Sequence, residues 1–161
     1  MDLILEELIT GIQNSRKHFL KHVAGMTAEQ WDWKPYADCM SARETIAHLM
    51  GDDIAAKQSL LDNAEPNYEA ALASASSIAA TDSTELLAQL ASTHAELCEA
   101  ITATCANKPL DSTISVWGTQ MKIAQGIPHF SSEDYYHSGQ VAFMRMATDP
   151  AWNYYAAIYG E

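Results

Sequence analysis

Apolar residues recur at intervals of three and four along most of this chain, which is the pattern of amphipathic helices. The first such stretch covers residues 2–24 and carries its apolar stripe through Leu5, Ile12 and Phe19. Gly25 follows, at the position where a left-handed residue often closes a helix. The pattern therefore predicts a first long helix that ends at this glycine.

Two further helices are predicted in the middle of the chain. Ser41 and Glu44 form the capping-box pattern, and a helix is predicted from there over residues 41–63. A third apolar stripe predicts a helix over residues 83–106. The connection between them is rich in Ala and Ser, and we expect one short helix in it after Asn67.

The last third of the chain changes period before it becomes helical again. Residues 113–123 alternate apolar and polar positions on either side of Trp117 and Gly118, which indicates a small β-hairpin or an extended loop. A fourth helix is predicted over residues 123–147, and Pro128 is either a kink inside it or a boundary near its start. These elements predict an all-α protein, a four-helix bundle with a minor hairpin.

Composition agrees with one globular domain over residues 1–161, because 48% of the residues are hydrophobic and 19% are charged. The net charge of −12 disfavours binding to nucleic acid. No apolar run is long enough to span a membrane, and the N-terminus is acidic where a signal peptide is basic. We therefore expect a cytoplasmic protein. The three cysteines show no CxxC spacing, which disfavours a disulfide framework or a zinc knuckle.

Candidate chemistry begins with Glu133 and His137, which are four residues apart in the fourth predicted helix. At this spacing the two side chains share one face, roughly 6 Å apart along the axis. They can form a local hydrogen bond, or they can provide two ligands of a divalent metal if another helix supplies a third. His129 extends the row by eight residues, roughly 12 Å from His137, and is either a neighbour of the site or a substitute ligand if Pro128 distorts the turn.

The other histidines differ in their surroundings. His48 lies in an apolar turn of the second predicted helix, with Asp52 four residues later. A carboxylate can orient such a ring and leave its second nitrogen for a metal, although a satisfied core histidine is the alternative. His18 and His22 lie among cationic residues, which predicts a solvated face, and His94 is predicted at the surface or its boundary.

Two segments resemble the halves of the DinB/YfiT-like family. The first is "WDWKP" at residues 31–35, followed by Ser41 and the helix that carries His48; the second is "EDYYHSGQVAFMR" at residues 133–145. The resemblance runs in order through nearly the whole chain. It implies an up-and-down four-helix bundle with a mirrored connection, often a homodimer, that holds a divalent metal with three histidines.

Carried over to this chain, the resemblance implies the ligand positions His48, Glu133 and His137, with glutamate where the family usually has histidine. Two imidazoles and one carboxylate suit zinc, nickel, iron or manganese. The prediction requires ring nitrogens of His48 and His137 less than about 7 Å apart. The alternative is a non-catalytic stress-linked or ligand-binding bundle that has lost the three-histidine site.

The resemblance also implies an activity, namely a metal-dependent enzyme that acts on a small molecule. A transferase that uses a low-molecular-weight thiol is the leading form, and a hydrolase is another. Asp52 and Tyr136 are the candidates for proton transfer beside the metal, although core packing is the interpretation we favour for Tyr136.

Overall fold

The computed structural model describes residues 3–78 and 82–161, so the predicted start of the first helix at residue 2 and the end of the Ala/Ser-rich connection lie outside the described residues. The class predicted from the sequence, all-α with a minor hairpin, is confirmed. The elements in chain order are α1 (Leu3–Val23), α2 (Ala28–Asp32), α3 (Ala42–Asp62), α4 (Tyr68–Ile78), α5 (Ser83–Cys105), β1 (Thr113–Val116), β2 (Thr119–Lys122), α6 (Ile123–His129), α7 (Ser132–Thr148) and α8 (Tyr154–Tyr159).

The helix ends follow local signals in the sequence. Ser41 Oγ accepts the backbone N–H of Glu44 at 3.2 Å, and the Glu44 carboxylate accepts the backbone N–H of Ser41 at 2.8 Å, so the predicted capping box opens α3. Thr27 caps α2 in the same way. Gly25 has a φ of 72°, the left-handed conformation expected after α1.

The long helices enclose two apolar clusters, one toward each end of the bundle. The first contains Leu5 of α1 and Ile101 of α5, together with residues of the hairpin and α6. The second contains Phe19, Leu49 and Val141, which belong to α1, α3 and α7. These side chains are almost fully buried, and each contributes about 1.5–3 kcal/mol by leaving water. Among the described residues, no helix is both long and apolar enough to cross a membrane.

The hairpin packs against α3 through its turn. Strands β1 and β2 are antiparallel, and the turn residues Trp117 and Gly118 have φ values of 47° and 86°, as a two-residue type I′ turn requires. The indole N–H of Trp117 donates to the Asp52 carbonyl at 3.2 Å, and the backbone N–H of Gly118 donates to Ser59 Oγ at 2.8 Å. These bonds hold the Trp117 ring beside the middle of α3.

Of the two alternatives predicted at Pro128, the structure has the boundary, because α6 and α7 are separate helices and the span 123–147 is not one helix. The boundary lies after Pro128, which is inside α6. Phe130 N–H bonds to the carbonyl of Ile127 and Ser131 N–H bonds to that of Pro128, both at 3.1 Å. These three-residue bonds tighten the chain into a turn and end the helix. His129 therefore lies on a different helix axis from the candidate ligands of α7.

Candidate metal centre

The structure brings His48 of α3 together with Glu133 and His137 of α7. One ligand atom from each residue lies within 4.8 Å of the other two. The Glu133 Oε2 atom is 3.4 Å from His137 Nε2 and 3.8 Å from His48 Nε2. The separation of the two imidazoles is thus well inside the 7 Å limit that a shared ion allows.

The His137 ring is held by Gln140 in one tautomer. Its Nδ1 lies 2.7 Å from the Gln140 side-chain oxygen, so Nδ1 carries the proton and donates. The other nitrogen, Nε2, is buried and has no hydrogen-bond partner among residues 3–78 and 82–161. Burial lowers the pKa of His137, and the nearby His48 lowers it further, although the bond to Gln140 opposes this. The result is a neutral imidazole whose free lone pair points toward Glu133 and His48.

These residues fit a divalent ion. Zinc binds nitrogen and oxygen at about 2.0–2.2 Å, so neighbouring ligand atoms of a tetrahedral site are about 3.4 Å apart. The distances of 3.4 and 3.8 Å around Glu133 are close to that value. An unpartnered buried nitrogen costs about 1–3 kcal/mol unless something binds it, and a metal ion on the His137 lone pair would remove that cost.

Asp52 lies one turn after His48 on α3, next to the convergent group and outside it. Its Oδ2 is buried and lies 3.1 Å from His48 Nε2, within ion-pair distance. Among the described residues, this oxygen makes no hydrogen bond. Burial, and then the negative charges of Glu133 and Asp53, raise the pKa of Asp52 to about 7, while Arg16 opposes the rise. Asp52 is therefore placed to accept a proton from a group bound beside His48.

A pocket of about 220 Å³ opens in front of the convergent group, and it is lined by His48, Asp52, Tyr68, Trp117 and Glu133. Its lining thus combines two candidate ligands, the Asp52 carboxylate and two aromatic side chains. Within the part of the chain that the structure describes, no lysine or arginine lines it. Sequence reasoning did not identify Trp117 or Tyr68 as pocket residues, because the hairpin and α4 reach the site only in the folded chain.

Two residues predicted at or near the site lie elsewhere. Tyr136 is 64% exposed and does not line the pocket, so the favoured interpretation of core packing is wrong. Its ring contacts that of His137, with centroids 5.1 Å apart. His129 is exposed, and its ring packs against that of Trp117 with centroids 5.8 Å apart. It is not one of the three convergent residues.

The assignments of the remaining histidines need correction. His22 is 1% exposed, because α8 covers it: its ring lies 5.9 Å from that of Tyr154. The solvated face predicted for it is therefore wrong, whereas His18 is partly exposed. His94 is 8% exposed and its Nδ1 lies 3.4 Å from an Asp53 oxygen, so the predicted surface position is also wrong. Both errors arise from contacts between distant segments, which a single helix pattern does not contain.

Comparison with protein families gives a match to the DinB superfamily over residues 12–141, which is most of the chain. Neither curated proteins nor solved structures give a match. The matched region includes all three candidate ligands, His48, Glu133 and His137. The chain belongs to the DinB superfamily.

Proposed function

We propose that this protein is a metal-dependent enzyme in which His48, Glu133 and His137 hold one divalent ion. The observation that carries the proposal is the buried Nε2 of His137, which has a free lone pair and, among the described residues, no hydrogen-bond partner. Three protein ligands leave room for a small molecule, which is typical of catalytic sites. A bound divalent ion would act as a Lewis acid toward that molecule.

The pocket suggests how the chain's own residues handle a substrate. Its volume of about 220 Å³ is below the roughly 300 Å³ at which pockets for drug-sized ligands begin. It would therefore enclose the reacting end of a molecule and leave the rest in solvent. Trp117 and Tyr68 would exclude water from the reacting atoms, and Gln140 would keep the His137 tautomer fixed.

The reaction we propose is transfer of a low-molecular-weight thiol to an electrophilic carbon. The thiol would give its proton to Oδ2 of Asp52, which lies 3.1 Å from His48 Nε2. The sulfur would form a bond to the carbon, and the leaving group would depart with its electron pair. The support is the donor set, the position of Asp52 at the pocket and the family resemblance. Hydrolysis, with water in place of the thiol, is the second candidate for the same geometry.

The test is conjugation of a small thiol to a chromogenic aryl halide by zinc-loaded protein. We expect turnover in the wild type and in Tyr136→Phe, which changes a side chain outside the pocket, and none in His137→Ala. If the protein binds zinc but shows no turnover over a panel of thiols and electrophiles, the transferase proposal is wrong. It would favour the non-catalytic ligand-binding bundle.

We also propose that the chain forms a homodimer through the outer face of α7. The support is a row of exposed apolar side chains, because Tyr136 is 64%, Phe143 57% and Met146 49% exposed. Tyr36, beside this row, is 66% exposed. Contiguous apolar surface of this kind is typical of interaction sites.

A cytoplasmic location stays a prediction from the sequence.

A further inference from the structure

A buried ionic network lies next to the candidate metal centre. Its central residue is Arg16 of α1, which binds Asp53 and Asp134. The guanidinium donates to both oxygens of Asp53 on α3, at 2.9 and 3.1 Å. Its Nε donates to Asp134 on α7 at 2.6 Å. The three residues are 5%, 4% and 1% exposed. Arg16 thus joins the two helices that carry the candidate metal ligands.

Hydroxyl and imidazole groups complete the network, so that each of the four longest described helices contributes to it. Ser15 of α1 donates to Asp134 at 2.8 Å, and Thr93 of α5 donates to Asp53 at 3.1 Å. His94 of α5 lies 3.4 Å from Asp53. Asp53 therefore ties α3 to both α1 and α5, whereas Asp134 ties α7 to α1 through two residues.

The network residues are sequence neighbours of the pocket residues. Asp53 follows Asp52, and Asp134 follows Glu133. Successive residues of a helix point about 100° apart, so on each helix one carboxylate faces the network and the other faces the pocket. Arg16 does not line the pocket, but it binds α3 and α7 at the level where the ligand atoms meet.

Stability alone does not explain such a network. Burying charges has a large desolvation cost, and well-packed replacements without charge are often as stable or more stable. The best-attested benefit of buried polar groups is that they fix one register between helices. An arginine fork suits this task, because it binds a carboxylate in only one geometry.

We propose that Arg16 is a positioning residue, which holds α3 and α7 in the register at which His48, Glu133 and His137 converge. The effect on the metal rests on the proposed function, whereas the register itself does not. Removal of the network would leave a folded bundle in which the two helices slide or rotate by small amounts. Because metal ligands must be within tenths of an ångström of their positions, affinity would fall before stability does.

The experiment compares metal affinity with stability in variants that separate the two. The charge-free variant Arg16→Met, Asp53→Asn, Asp134→Asn removes the network at nearly constant volume. Ile101→Val is the control, because Ile101 is fully buried in the first apolar cluster, so that its truncation weakens the core without touching the network. Zinc dissociation constants come from competition with a chromophoric chelator, and stability comes from the urea midpoint of metal-free protein.

We expect the charge-free variant to stay folded, with one cooperative urea transition, and to bind zinc at least tenfold more weakly. Ile101→Val should lower the midpoint and leave the zinc dissociation constant unchanged. If affinity follows the midpoint through all variants, or the charge-free variant binds zinc within twofold of the wild type, the proposal is overturned. Arg16→Lys keeps the charge and loses the fork, and it should also weaken zinc at least threefold; an unchanged constant would count equally against the proposal.

A readout without metal separates this proposal from the proposed function. The rings of His48 and His137 have centroids 5.0 Å apart, close enough for a nuclear Overhauser effect between ring protons. Metal-free wild type and Ile101→Val should show this effect at equal intensity, and the charge-free variant should show it at clearly reduced intensity. If the wild type shows it and binds no zinc, the metal proposal fails and the register is still decided by the variants. If the charge-free variant keeps the full effect, Arg16 does not set the register.

Discussion

A rise in pH from 6 to 9.5 should destabilise the fold through His94, because this residue is held protonated inside the bundle. Burial alone would lower its pKa. Hydrogen bonds to Asp53 and Cys98, together with the charge of Asp53, outweigh burial and raise the pKa of His94 to about 9. The imidazolium and Arg16 balance the carboxylates of Asp53 and Asp134 in the same buried network.

The magnitude follows from the pKa difference between the folded and unfolded chains. A rise from 6.5 to about 9 corresponds to about 3 kcal/mol in the free energy of unfolding. Because the folded pKa is the higher one, this contribution is fully present below pH 6.5. It decreases above that value and is lost as the pH rises through about 9.

The assay is urea unfolding of wild type and His94→Gln at pH 6, 7.5 and 9.5, with a chelator present to keep the metal site empty. Glutamine cannot ionise in this range, so it removes the His94 contribution and keeps a polar side chain. We expect the wild type to lose about 3 kcal/mol more than the variant between the lowest and highest pH. Parallel pH curves for the two proteins would refute the assignment of a charged His94.

Three further predictions test other parts of the structure. Gln140→Leu removes the acceptor of the His137 Nδ1 proton and should weaken zinc binding by about 10–100-fold with little change in melting temperature. Titration measures the zinc affinity and calorimetry the melting temperature; a zinc affinity equal to that of the wild type would show that Gln140 does not orient the ring. Gly118→Ala should lower the free energy of unfolding in urea by about 1–3 kcal/mol, because φ is 86° and the new Cβ would lie 3.1 Å from a backbone atom of Glu65. Its control, Gly11→Ala, has open space in α1 and should raise the free energy of unfolding by about 0.5–1 kcal/mol. A change of the same sign in both variants would contradict these expectations. Phe143→Glu places a charge in the exposed row of α7 and should give a monomer in light scattering where the wild type gives twice that mass, and a monomeric wild type would dispose of the dimer.

Much of the fold could be predicted because its signals are local. The Ser41–Glu44 capping box, the left-handed Gly25 and the Trp117–Gly118 turn each depend on residues within four positions of one another. The break between α6 and α7 was left open as a kink or a boundary at Pro128, because the apolar pattern runs through it. The buried side chain of Phe130 fits the core on either interpretation, so the pattern does not distinguish a turn from a continuous helix.

The candidate site depends much more on contacts between distant segments. Spacing alone placed Glu133 and His137 on one face of a helix and left both a hydrogen bond and a metal open; the resemblance supplied His48 as the third position. Gln140 was within reach of sequence reasoning, since it follows His137 by three residues. Arg16 was not, because its partners are 37 and 118 residues away and nothing near it in the sequence marks it as buried.

The most direct test of the central claim is the number of zinc ions that metal-free protein binds at equilibrium, counted by titration against a chelator of known affinity. We expect one ion per chain in the wild type. We expect loss of that ion in His137→Ala, which removes the buried free nitrogen, and its retention in Glu133→His, which restores three imidazoles. A wild type that binds no ion, or a His137→Ala variant that binds zinc as tightly as the wild type, would contradict the metal centre proposed for this protein.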